Sequence, residues 1–309
     1  MACRSRGIIC HSPVHEKQTE GMEKMRKQAL LSLLRAMEGK KILLAQQESP
    51  NRGFSDRECE WIQAVTGDLP AIRGLDFIHD DFDGVVERAK RWNDRGGIVT
   101  ICWHTGLIGN SYPACKEENP DWEKLFAAGT EENDLLFSRW DRAADALKTL
   151  QAADIPVLWR PFHEFDGQWF WWGKAGGEAF QTLWRMMHEY FEKTHGLKNL
   201  IWVLGYSGEI RPGWEIDPAL FDVAGSDTYS GETTHGMAYQ QLKRLYPGKP
   251  LAFHECGLIP PPGSFFDEGC PWSWIMPWHG SFLMNNHPGR IMEAYHDERT
   301  IPLSRLPRF

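Results

Sequence analysis

Long apolar runs, basic blocks and paired cysteines are all scarce in this chain of 309 residues. No apolar stretch reaches the roughly 18 residues that a membrane-spanning helix needs, so no spanning helix is expected. The first residues, "MACRSRGIICHSPVHEKQTEGMEKM", offer only "GIIC" as an apolar run, too short for a signal-peptide core. The chain as written is therefore expected in the cytoplasm, or secreted where a signal has been removed. A formal net charge of −8 without any Lys/Arg-rich block argues against nucleic acid or an anionic membrane as partner. The seven cysteines, at 3, 10, 59, 102, 115, 256 and 270, are odd in number and form no CxxC or Cys/His finger spacing. That pattern excludes a disulfide scaffold and a structural zinc site, and buried thiols are expected instead. No metal or other cofactor is expected, and the chain is expected to act as a monomer.

Tryptophan, by contrast, is abundant. There are fifteen, with clusters at 169–172 and 272–278, each close to a histidine. The first cluster belongs to "RPFHEFDGQWFWWG" (160–173), where Arg, His and Glu stand just before four aromatics. Ionisable groups are rarely buried unless paired. Such a segment reads either as an unusual piece of core or as a surface that holds something flat and apolar beside an acid.

The order of elements decides where that segment lies. Eight β-rich runs recur along the chain: "KKILLAQQE" (40–48), "PAIRGLDF" (70–77), "GGIVTICWH" (96–104), "IPVLWRPFHE" (155–164), "NLIWVLGYS" (199–207), "FDVAGSDTY" (221–229), "KPLAFHECG" (249–257) and "WSWIMPWHG" (272–280). Several are almost continuously apolar, as strands buried on both faces of a parallel sheet are. Helical patterns lie between them. "SDRECEWIQAVTG" opens with Ser55 and Glu58 in capping-box spacing, and "DFDGVVERAKRWNDRGG" ends in glycines suited to a helix C-terminus. "ENDLLFSRWDRAADALKTLQAAD" and "GEAFQTLWRMMHEYFEKTHG" carry apolar residues at three and four spacing, and residues 22–39 suggest an additional N-terminal helix. The pattern predicts an α/β protein, a single-domain (β/α)8 TIM barrel over 41–309, preceded by an N-terminal extension with a helix over 1–40. An open doubly wound sheet would favour a Gly-rich turn after the first strand, and "AQQESPNRG" offers none.

Barrel active sites form at the C-terminal ends of the strands. The predicted runs end in His104, His163-Glu164, Asp227 and Tyr229, His254-Glu255, and Trp278-His279. Two glutamates on different strands, with aromatics beside them, suit glycosidic-bond cleavage, in which one carboxyl protonates the leaving oxygen and the other attacks or activates water. Sugar rings present C–H faces on which tryptophan stacks, which gives the Trp clusters a use. Strict alternation along a strand conflicts with His163 and Glu164 both facing a pocket unless the ladder ends or bulges there. The same conflict at His254 favours a structural role for that residue. Trp159, Trp184 and Trp202 are expected in the core.

"RPFHEFDGQWFWWG" resembles the acid/base motif of glycoside hydrolase family 26, whose best-known members are endo-β-1,4-mannanases. "GIVTICWH" and "GSDTY" are similar to its motifs on strands three and six, and "KPLAFHECG" to its nucleophile motif on strand seven. The likeness extends from about residue 41 to "IPLSRLP" near the end. It implies that Glu164 is the general acid/base and Glu255 the nucleophile of a retaining, endo-acting hydrolase. Such an enzyme would cleave β-1,4-mannosidic bonds in mannan, glucomannan or galactomannan through a covalent glycosyl-enzyme. His104, His163, Trp169 and Tyr229 match positions that orient these groups or hold the sugar, and Arg160 and Asp227 match supporting positions. Trp278 resembles the tryptophan that ends strand eight, although "WSWIMPWHG" departs from the usual pattern there. Of Trp171 and Trp172, one is expected to pack and Trp172 to join the sugar platform. The partner expected is a β-linked polysaccharide or oligosaccharide. The alternatives are mixed-linkage β-glucan or β-1,3-xylan as substrate, a non-catalytic carbohydrate-binding protein, and a metal-dependent hydrolase ligated by His104, His163, Glu164, His254 and Glu255.

Overall fold

The computed structural model describes residues 26–51, 53 and 55–309. Eight parallel strands run in sequence order: β1 Ile42–Gln47, β2 Ile72–Asp76, β3 Ile98–Cys102, β4 Val157–Arg160, β5 Leu200–Ser207, β6 Val223–Thr228, β7 Leu251–Cys256 and β8 Trp274–Pro277. Each pairs in parallel with the next, and β8 and β2 both pair with β1, so the sheet closes on itself. Every strand lies inside a run predicted from sequence. The fold is a (β/α)8 barrel with helices between the strands. A short ninth strand, β9 (Thr300–Ile301), adds to β1 at the opposite end from the site.

Strand alternation divides the apolar residues into two populations. Leu43, Ala45, Ile72, Ile98, Leu158, Ile201, Val203, Val223, Ala252, Trp274 and Met276 pack together inside the barrel. Their neighbours Leu44, Leu75, Val99, Ile101, Trp159, Trp202, Leu204 and Phe253 join the larger cluster beneath the outer helices. Trp159, Trp184 and Trp202 are all buried there, as expected. Residues 26–37 form a helix, α1, whose Leu30, Leu31, Leu34 and Met37 belong to the inner cluster. The predicted start of this helix, at residue 22, lies outside the described residues.

Helices α2 (Arg57–Thr66) and α3 (Phe82–Asp94) follow β1 and β2. The capping box predicted for α2 does not form. Its N-cap is Asp56, without a side-chain cap bond, because Glu58 turns away to accept from the backbone N–H groups of Ser49 and Gly280. Tertiary contacts with the loops after β1 and β8 outcompete the local motif. Three elements after β3 follow in order: α4 (Tyr112–Glu117), α5 (Trp122–Phe126) and α6 (Glu131–Gln151). The remaining helices are α7 (Gly177–Glu189), α8 (Gly236–Leu245), α9 (Pro262–Asp267), α10 (Ser281–Met284) and α11 (Pro288–His296). No helix among the described residues is long and apolar enough to cross a membrane.

Candidate active site

The strand ends converge as predicted, but the two glutamates arrive by different routes. On the β4 side the ladder stops at Arg160. Phe162 and Glu164 then take left-handed backbone angles, with φ of 50° and 54°. Leaving the ladder removes the alternation constraint, so both His163 and Glu164 reach the site. The Glu164 N–H donates to the Gly205 carbonyl at 2.7 Å. The loop beyond is pinned on both sides: Asp166 Oδ1 accepts from Ser207 N and Oγ at 2.8 and 2.9 Å, and Trp171 Nε1 donates to the Thr105 carbonyl at 2.7 Å.

On the β7 side the chain stays in the ladder but bulges. Phe253 pairs with Ser226 while Glu255 pairs with Asp227, so His254 is the extra residue. A bulge reverses the alternation. With Ala252 inward and Phe253 outward, His254 and Glu255 both turn toward the barrel axis and Cys256 returns to the outer core.

Glu255 is buried and both its oxygens are engaged. Oε1 accepts from Arg160 Nη1 and lies 3.7 Å from His163 Nε2. Oε2 accepts from the Tyr229 hydroxyl at 2.8 Å. Burial pushes the Glu255 carboxyl above its ordinary value, while Arg160 and the Tyr229 bond act in the opposite direction. Glu164 is half-buried, and its Oε2 accepts from Trp169 Nε1 at 2.8 Å. Asp227 is buried beside it, and burial, followed by the charges of Glu164 and Glu255, raises its carboxyl well above the usual range. Three carboxyls share a small volume, which is the arrangement that separates acid from base.

The histidines divide in the same way. His104 Nδ1 lies 2.6 Å from Asp76 Oδ2, and its backbone N–H donates to Oδ1 at 3.0 Å. Burial opposes a charge on His104, but Asp76 more than compensates and raises its pKa. His163, edge-on to His104 at 4.5 Å, is pushed well below the ordinary value by burial, His104 and Arg160, and stays neutral.

Trp169 is 40% exposed, as a platform should be. Trp172 is not: it is fully buried, stacked on Phe170 at 4.5 Å, and donates from Nε1 to the His163 carbonyl at 2.9 Å. The expectation that Trp172 meets sugar is corrected on that ground; it holds His163 from behind. Trp278 is half-buried, with its ring 6.0 Å from His104. Trp272 and Trp274 are core, so each cluster supplies one tryptophan to the cleft and buries the rest. Two cleft aromatics escaped the sequence reading. Phe282 on α10 lies 4.7 Å from Tyr229, and Tyr112 on α4 lies 5.4 Å from His104; both are exposed. Both lie beyond the predicted strand runs, 96–104 and 272–280, so reading the strand ends did not reach them. Asp76 also escaped, as one acid at the end of a strand.

Two groups of side chains have metal-ligand proximity among the described residues: Asp76–Cys102–His104, and Asp227–His254–Glu255. Neither fits a cation. The first is already a charge-balanced pair, and burial pushes the Cys102 thiol well up, away from the thiolate a metal would need. In the second, the Arg160 guanidinium contacts both His254 and Glu255 and supplies the positive charge.

The family model described as "Glycosyl hydrolase family 26" matches residues 20–302. The mannan endo-1,4-β-mannosidase of Thermothelomyces thermophilus is 30% identical over 304 residues, covering 90% of this chain and 61% of that protein. The enzyme of the same name from Bacillus subtilis strain 168 is 30% identical over 237 residues, covering 69% and 64%. The chain spans only 43% to 61% of the first three such relatives. Among solved structures, a β-mannanase from a symbiotic protist of the termite Reticulitermes speratus, complexed with gluco-manno-oligosaccharide, superposes with a TM-score of 0.82 at 29% identity, covering 91% of this chain and 94% of that one. A β-(1,4)-mannanase of Podospora anserina gives 0.81 at 30% identity, covering 91% and 66%.

Proposed function

Since the chain belongs to glycosyl hydrolase family 26, we propose that it is an endo-acting β-1,4-mannanase that retains anomeric configuration, with Glu255 as nucleophile and Glu164 as acid/base. The observation that carries this reading is the unequal treatment of two neighbouring carboxyls. Glu255 is immobilised by donors on both oxygens, as a group that must attack along one line requires. Glu164 is half-buried, beside the buried Asp227 and the exposed Trp169, as a group that must exchange a proton with bulk water requires.

In the first step Glu255 attacks the anomeric carbon as Glu164 gives its proton to the departing glycosidic oxygen. The C1–O bond breaks as the C1–carboxylate bond forms. In the second step Glu164 takes a proton from water, whose oxygen replaces Glu255 at C1. Arg160 and Tyr229 hold the nucleophile before attack and receive its leaving charge afterwards. Trp169 lines the cleaved bond and also fixes Glu164 through its Nε1–H. Mannan is the favoured backbone because the relatives named above are mannanases, and the sugar in the termite-protist complex extends the reading to glucomannan.

Proton NMR during hydrolysis of mannohexaose tests the reading. The β-anomer should appear first and equilibrate later. Initial α-anomer would overturn the retaining assignment, and reducing ends from β-glucan or β-1,3-xylan but not from mannan would overturn the substrate.

A further inference from the structure

His254 fills a notch that two glycines leave open inside the barrel. Gly205 and Gly225 are register partners on β5 and β6. A Cβ on Gly205 would stand 2.8 Å from His254 Nε2, and one on Gly225 2.5 Å from Cδ2. Barrel interiors normally fill such space with branched apolar residues, and a buried polar ring is costly unless it is paired. Here an imidazole completely removed from solvent replaces them. Its Nδ1 lies 3.3 Å from Arg160 Nη1, the nitrogen that also donates to Glu255 Oε1. A guanidinium only donates, so Nδ1 is the bare nitrogen and the proton sits on Nε2. Burial first, then the Arg160 charge, push the imidazole well below its ordinary pKa and keep it neutral. Arg160 Nε and Nη2 have no partner among the described residues. The two hydrogens of Nη1 are therefore what orient the guanidinium.

The geometry points to His254 as a positioning residue that fixes the Arg160 guanidinium on the Glu255 carboxylate, an assignment that rests on Glu255 being the nucleophile. The β7 bulge serves both residues, because it turns His254 and Glu255 to the same side of the sheet.

Three variants separate this role from space-filling. Asparagine places an oxygen near the Nδ1 position, glutamine places its amide near Nε2, and leucine offers no acceptor. With an aryl β-mannobioside, His254→Asn should keep most of kcat. His254→Gln and His254→Leu should lose about ten- to a hundredfold with little change in KM, as removal of partners that orient functional ligands does elsewhere. The acid limb of their pH profiles should move upward, because a looser Arg160 lowers the Glu255 pKa less. Combining His254→Leu with Arg160→Lys should cost less than the product of the two single losses, since both act through one contact. Trapping with an activated 2-deoxy-2-fluoro-β-mannoside, read by mass spectrometry, separates the role of His254 from that of Glu255. Failure to label Glu255 in the wild type would remove the nucleophile reading itself. Labelling at an unchanged rate in His254→Leu would overturn the positioning role alone. So would asparagine falling as far as leucine, or melting temperatures showing that both amide variants fail to fold.

Discussion

The ends of β4 and β7 each deliver one glutamate to the cleft, and they do so by opposite means. At β4 the sheet is abandoned: left-handed residues at 162 and 164 throw the chain into a loop, and Glu164 stands half-exposed on it. At β7 the sheet is kept and locally overfilled by one residue, so Glu255 stays in the ladder, buried, with Arg160 and Tyr229 on its oxygens. A loop gives access to protons and room to move; a bulged strand gives a fixed direction of approach. The backbone thus treats the two glutamates differently, in the sense that the two proposed roles require, before any side-chain chemistry is considered.

The largest expected effects come from removing each carboxyl in turn. Glu255→Ala should lower turnover by at least about 10⁴-fold on every substrate, as loss of a nucleophile does in other hydrolases. Glu164→Ala should cost roughly 10²–10⁴-fold on mannan and much less on an aryl mannoside, whose phenolate leaves without a proton. Azide should then accelerate breakdown of the accumulated glycosyl-enzyme and yield a β-mannosyl azide. Equal losses on both substrates without azide rescue would erase the distinction between the two ends.

The β4 loop should also show a division between neighbours. Trp172 lies under His163 and Trp169 lies over the cleft, three positions apart. Trp172→Ala opens a large cavity and should cost about 3–5 kcal/mol of stability, read as a lowered melting temperature. Trp169→Ala should leave melting nearly unchanged. It should cut kcat/KM by roughly ten- to several hundredfold, taking about 1–3 kcal/mol for a lost aromatic stack by analogy with nucleobases. A reversed pattern would mean that the exposed ring is the structural one.

The barrel and its strand ends were legible because strands buried on both faces are nearly continuous apolar runs, set off from the three-and-four spacing of the helices between them. The Glu164 motif was legible because charge beside a run of aromatics is conspicuous, and Glu255 because it closes an apolar strand run. The positions that escaped are set by tertiary packing. Burial of Trp172 depends on Phe170 and His163 reaching it from the same loop. The use of His254 depends on a bulge and on two glycines on other strands. The Ser55–Glu58 box failed because Glu58 had better partners 222 residues away, at Gly280. A local pattern specifies what a residue can do, and only the fold specifies which option is taken.

The β7 end should respond to a smaller change, loss of one hydroxyl. Tyr229→Phe removes the bond to Glu255 Oε2, which holds that carboxyl's pKa down. A hydrogen bond to a charged group contributes about 1.5–3 kcal/mol, so kcat should fall roughly ten- to a hundredfold. The acid limb of the pH–rate profile should move to higher pH. A limb that stays in place would mean that Tyr229 binds sugar without acting on the nucleophile.

The smallest effect concerns the support of β7 from its outer side. His235 stacks on Phe253 at 5.5 Å and lies near-parallel to Trp272 at 6.2 Å, and its Nε2 meets Ser226 Oγ at 2.9 Å. Burial pushes its pKa from 6.5 down to about 4. Between those values the unfolded chain binds a proton that the folded chain refuses, so stability rises with pH across this window. The contribution is complete above pH 6.5 and is lost as pH falls toward 4. Asparagine tolerates the left-handed backbone at this position, where φ is 56°, and it does not titrate. His235→Asn should therefore flatten the fall in melting temperature between these pH values relative to wild type, whatever its offset at neutral pH. Carboxyls elsewhere titrate equally in both proteins and cancel in the difference. Parallel melting curves across the window would show that the imidazole is protonated within the fold, and that the outer face of β7 is as open to water as the β4 loop.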